Sequence, residues 1–185
     1  MSLSDRLRKA QVSMPPPYRA RPRLLLLPRV PKPLHGVAPR VVLGSKWWDE
    51  TRRAAYASTG YRCAACGVGK QQATWCRWLE GHEIYDLDYL LGRAVYVETV
   101  PLCHACHNYI HAGRMLALLE KGEMRQEKYD CILAYGDRVL HEVGLVRPAP
   151  YEGPFADWGD WRMIIDGRKY PPKYKTFEAW LKEFG

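Results

Sequence analysis

Leu79-Glu-Gly-His-Glu83 and Val100-Pro-Leu-Cys-His-Ala-Cys-His-Asn-Tyr-Ile-His111 decide how this chain is read, together with an earlier Cys63-Ala-Ala-Cys66. Cys63, Cys66, Cys103 and Cys106 form two Cys-x-x-Cys turns with 36 residues between them. Each turn presents two thiolates at a separation that suits one tetrahedral ion, and a second turn closes the shell. Zinc is the expected structural ion, and its binding would stabilise a fold built from short strands. Redox dithiols are the competing reading, but neither pair sits in a strand–helix–strand setting. Cys76 and Cys131 stand alone and are expected as small buried hydrophobes.

The histidines carry a second pattern. A helix starting just after Cys106 would bear His107 and His111 four residues apart on one face, where two imidazoles can share a metal. His82, at the end of a preceding strand, can be brought opposite them. Glu80, Glu83, Asp86 and Asp88 offer oxygen ligands or partners that orient the rings. A divalent ion held this way, with open positions, suits phosphodiester hydrolysis.

These residues resemble the HNH endonucleases of the His-Me finger superfamily, in the branch stabilised by a four-cysteine zinc. The resemblance covers about residues 60–115, and Leu102-Cys-x-x-Cys-His-x-x-x-His111 is its most specific part. It implies a β-hairpin and helix (the ββα-metal core) clasping one catalytic Mg²⁺ or other divalent ion. His107 and His111 match the helix-borne ligands. The family's doublet of ligand and general base reads here in two ways. Gly81-His82 makes His82 the base, with Glu80 or Glu83 helping the metal; His82-Glu83 makes His82 a ligand and Glu83 the base. The first is preferred. The family's base-orienting asparagine falls near Glu98-Thr99, where none stands, and Asn108 lies in the ligand helix.

Working outward, the expected fold class is α+β. An extended basic, proline-rich arm spans residues 1–44, the HNH-like zinc domain 45–120, and a helix–hairpin–helix extension 121–185. Eight of the fourteen prolines fall in the first 45 residues, which predicts extended backbone and, at Leu24–Leu27, one strand. Ser45 is expected to cap a helix from Lys46 to Gly60, with Trp47 and Trp48 facing inward. Strands are expected at 73–80 and 94–100, with Gly92 in the turn before the second. A long helix is expected over 126–143 and an irregular connector over 145–160. Asp166-Gly167 predicts a tight hairpin between 161–165 and 168–170, and Thr176 a cap for a final short helix.

Charge is uneven. The first 45 residues hold nine basic side chains against Asp5 alone, so the net +8 of the 185-residue chain resides there. A cationic arm on a neutral body fits a polyanion, with Arg19, Arg21, Arg23, Arg29, Lys32, Arg40 and Arg114 as phosphate contacts and Arg93 as a further one. DNA is expected ahead of RNA. The early segment lacks the apolar stretch of a secretory signal and no run is long enough for a membrane span, so a cytoplasmic protein of a bacterial or phage-infected cell is expected.

The function expected is metal-dependent cleavage of DNA. The alternative is a catalytically degenerate zinc protein that binds nucleic acid or blocks a protein partner through the arm or the aromatic C-terminal region. A zinc nucleobase deaminase would need His-x-Glu, whereas His82 and Glu83 are adjacent.

Overall fold

The computed structural model describes residues 18–184. Arg6, Arg8, Lys9 and the Pro15–Pro17 run lie outside them. The architecture is mixed α and β. A four-stranded sheet has the order β1 (Glu80–Asp88), β2 (Arg93–Leu102), β3 (Arg162–Ile165) and β4 (Arg168–Tyr170). Six helices accompany it among the described residues: α1 (Pro39–Val42), α2 (Gly44–Ser58), α3 (His104–Ile110), α4 (Ala112–Glu120), α5 (Gln126–His141) and α6 (Phe177–Phe184).

The β1–β2 hairpin is antiparallel, and His82 lies opposite Val100. One irregularity shapes it: Ile84 pairs with Glu98 and Tyr85 with Tyr96, which leaves Val97 unpaired. An extra residue in one strand reverses which face its neighbours point to. Val100 and Leu102 therefore join one core with Leu25, Tyr109 and the cysteines, while Ala94 joins another with Leu34, Trp161, Met163 and Ile165. The hairpin Asp166-Gly167 forms as expected, with both residues at positive φ (49° and 76°) as a type I′ turn requires. What the local pattern did not reveal is its partner: β3 adds to β2 in parallel, after a crossover through α3, α4 and α5.

Several expectations are corrected. The arm is not simply extended. Pro22–Leu26 and Lys32–Leu34 are 3₁₀ turns and α1 is a short helix, each with proline in its first two positions, where no backbone donor is missed. Leu24–Leu27 is thus no strand; Leu25 is 1% exposed and anchors the arm, at a gain of roughly 2 kcal/mol for a side chain of this size. Helix α2 begins at Gly44, and Ser45 lies inside its first turn without a capping bond; the Leu43 N–H donating to the Pro39 carbonyl secures the entry. Its end agrees better, since Tyr61 N–H donates back to Tyr56 O beside Gly60 at φ +59°.

The strand expected at 73–80 begins only at Glu80, because Lys70–Gln72 turn and Trp75 takes φ +67°, which breaks the extended run. The helix expected after Cys106 starts at His104, with Cys103 as its N-cap, and stops at His111. Helix α5 ends at His141, and Thr176 Oγ1 accepts the Ala179 N–H at 3.2 Å to cap α6. Cys76 is half-buried and Cys131 exposed, against the expectation of burial. Helices α3 and α5 approach closely at Gly136, where a Cβ would overlap the Tyr109 ring. The Tyr109 hydroxyl then donates to Asp137 at 2.6 Å, which satisfies the buried ring's one polar atom.

Candidate metal centres

Two ligand clusters meet at the hairpin and α3. In the first, the sulfurs of Cys63, Cys66, Cys103 and Cys106 all lie within 4.8 Å of one another. Cys63 N–H donates to Val68 O (2.9 Å) and Gly67 N–H to Cys63 O (2.9 Å), which closes the first turn. Ala64 N–H donates to Pro101 O at 2.7 Å and so ties that turn to the strand that leads into the second. Cys103 caps α3, which places Cys106 one turn further along. Tyr135 from α5 donates its hydroxyl to Cys66 Sγ at 3.2 Å. Hydrogen bonds from Cys103 and then Cys106 hold the Cys63 and Cys66 thiols below their ordinary range, and contact with Cys103 raises Cys106. Four buried or half-buried sulfur donors fit a closed structural metal such as zinc.

In the second cluster, nitrogens of His82, His107 and His111 likewise lie within 4.8 Å of one another. His82 comes from β1, His107 from the middle of α3 and His111 from its C-cap; the His111 N–H donating to His107 O (3.2 Å) keeps the two helix-borne rings on one side, where they meet edge to face. The ring centroids are 5.4, 5.0 and 4.7 Å apart. Burial, then His111, His107 and Arg40, depress His82 to about 3. Burial, then His107, Arg114 and Arg40, depress His111 to about 4. Neutral rings are what a metal needs.

Glu80 takes part from behind. Its Oε1 meets His104 Nδ1 at 2.8 Å and its Oε2 lies 2.6 Å from His107 Nδ1. The second contact is close in distance but poorly aligned, so His107 Nδ1 makes no well-directed hydrogen bond there. Burial pushes Glu80 up, but His104 and His107 outweigh it and hold the carboxyl well below the usual range. Glu80 thus braces the His104 and His107 rings and lies outside the three-nitrogen group that could hold an ion.

Gly81 carries nothing because nothing fits there: a Cβ would lie 2.8 Å from Trp48 Cη2 of α2. Glu83, two residues on, points to the face that α1 and α2 cover. Its side chain is 5% exposed and its Oε2 accepts from Arg40 Nη1 at 2.6 Å, while Oε1 is buried without a hydrogen-bond partner. Burial raises the Glu83 carboxyl, opposed by Arg40. Thr99 faces Glu83 across the hairpin, where it shares a hydrogen bond with the Tyr96 hydroxyl (3.0 Å). Asn108 is buried on α3, donates to His104 O (2.9 Å) and accepts from Arg114 (3.2 Å).

The cations divide. Arg40 and Arg114 flank the imidazoles, and Arg29 packs on the α3–α4 junction, 3.6 Å from where a Gly113 Cβ would sit. Arg21 pairs with Glu98 at 2.7 Å, Lys32 lies over the Trp180 ring, and Arg19 and Arg23 are exposed. Arg93 pairs opposite Asp88 at the far end of the hairpin, remote from His82, and Asp86 and Asp88 share that end. Sequence reasoning missed the Arg40–Glu83 pair and the bridging of His104 and His107 by Glu80. The first joins residues far apart in the chain and leaves no local mark. The second was accessible from the spacing of His104 and His107 on one helix.

No helix among the described residues is long and apolar enough to cross a membrane. Comparison with protein families, curated proteins and solved structures returns no match.

Proposed function

We propose that this chain is an HNH-type endonuclease that hydrolyses phosphodiester bonds, most simply in DNA, with a divalent metal at His82, His107 and His111. The observation that carries the reading is the convergence of three imidazoles from a β-hairpin and its following helix, beside a separate four-sulfur cluster. Three nitrogen donors fit Mg²⁺ less well than Zn²⁺, Mn²⁺ or Ni²⁺. A divalent ion bound there would supply charge stabilisation for the phosphate and the departing oxygen.

The chain's own residues do the rest. Glu80 holds the His107 ring in place. The grouping of His82 with the other two rings supports its role as ligand, which leaves Glu83 as the residue to accept a proton from water. Arg40 and Arg114 supply positive charge where a phosphate would approach. The zinc-like cluster keeps α3 fixed against the hairpin.

One observation favours the non-catalytic alternative: Glu83 is buried and already paired to Arg40, and Thr99 stands where the resembled family has its asparagine. Nicking of supercoiled plasmid with Mg²⁺, Mn²⁺, Ni²⁺ or chelator separates the two. Cleavage is expected with at least one metal, lost in His111→Ala and reduced about 100-fold or more in Glu83→Gln. Equal cleavage by wild type and His111→Ala across all metals would remove the enzyme reading.

A further inference from the structure

Between the arm and the C-terminal connector runs a groove of about 620 Å³ that the three-histidine site does not use. Its side walls are aromatic: Tyr89 and Tyr151 stack at 4.5 Å and 13°, and Phe155 meets both edge-on. Phe155 is 53% exposed and Tyr151 45%, so these rings offer open faces and edges rather than a sealed core. Three side chains lining the groove carry charge, Arg29, Lys32 and Arg147, and all three are cationic. No acidic residue lines it.

The groove also touches the helix that bears two of the imidazoles. Ile110, the residue before His111, forms part of its wall, and Arg29 spans from its rim to Gly113. An apolar trough of this size admits one or two nucleobases. Aromatic rings with a cationic rim and no acidic group fit unpaired nucleotides, whose bases stack while their phosphates meet the cations. A paired duplex hides its base faces and has no means of entering.

We propose that this groove binds single-stranded nucleic acid and feeds it to the three-histidine site, so that the substrate carries unpaired nucleotides next to the cleaved bond. The inference rests on the nuclease reading for the word substrate, but the binding itself does not.

The test is equilibrium binding by the full chain carrying only the zinc that survives mild chelation, with no divalent metal added back, so that no cleavage occurs. Probes are a fluorescein-labelled oligothymidylate, a duplex of equal phosphate number, and a proline-rich peptide. The single strand is expected to bind about tenfold tighter than the duplex, and Tyr151→Ala combined with Phe155→Ala to remove most of that preference. Should the double variant misfold, photo-crosslinking of the oligonucleotide to the wild type gives the same answer, with adducts expected on Tyr151, Phe155 or Trp158. Equal affinity for strand and duplex, crosslinks confined to other surfaces, or displacement of the oligonucleotide by the peptide would overturn the proposal. A protein that prefers single strands yet never cuts sinks only the nuclease reading; one that cuts without any such preference sinks only this one.

Discussion

The four-sulfur and three-nitrogen clusters share α3, yet they are built for opposite ends. Cys63, Cys103 and Cys106 are 0–2% exposed, and their four donors leave no coordination position for a substrate. The imidazoles supply three donors, two of the rings are only half-buried, and arginines from the arm and from α4 stand beside them. A closed shell holds a fold together; an open one surrounded by positive charge invites an anion. The contrast lies in donor number and surroundings, since both sets share α3, to which the sulfurs add the Cys63–Cys66 turn and the imidazoles add His82 of β1.

The contrast can be broken most severely at the sulfurs. Cys106→Ser should abolish cooperative unfolding at ordinary temperature and release zinc, because metal binding to such a site contributes roughly 10 kcal/mol or more to folding; circular dichroism and zinc content read this out. His111→Ala should leave both unchanged.

Acid is the next lever. His82 and His111 have folded-state values depressed to about 3 and about 4, whereas the unfolded chain binds those protons near pH 6.5. Their contribution to stability is therefore complete above about pH 6.5 and is lost as pH falls through the folded values. Glu80, also depressed, adds to the same loss at the acid end. Without a metal on the imidazoles, the loss should amount to several kcal/mol by pH 3; denaturant titrations at several pH values measure it. His82→Asn with His111→Asn should flatten the dependence.

The smallest effect tests the residue behind the ligand. Glu80→Gln keeps the shape of the carboxylate but removes its charge from His107. Affinity for the second metal should fall about 10- to 100-fold with the first site untouched, as isothermal titration would show.

Much of this was legible in the chain, and the failures have physical causes. The cysteine turns, the Asp166-Gly167 hairpin and the Thr176 cap are local devices, complete within a few residues, and they form as read. The strand expected at 73–80 slid to 80–88 because its alternation was weak, and because pairing with β2 overrides the poor strand propensity of Glu80, Gly81, Asp86 and Asp88. Leu24 and Leu25 are buried, but Pro22 sets a 3₁₀ turn in place of the expected strand. Beyond reach were the parallel pairing of β3 with β2 and the Arg40–Glu83 contact, each joining segments more than forty residues apart. Gly81 is the instructive case: an apparently vacant ligand position is the seat of the Trp48 ring.

Native mass spectrometry of the intact chain under metal titration tests the division of labour most directly. Wild type should carry one zinc that survives mild chelation and a second divalent ion that does not, and His107→Ala with His111→Ala should lose only the second. A second ion that persists in that variant, or a first that leaves as readily as the second, would contradict it.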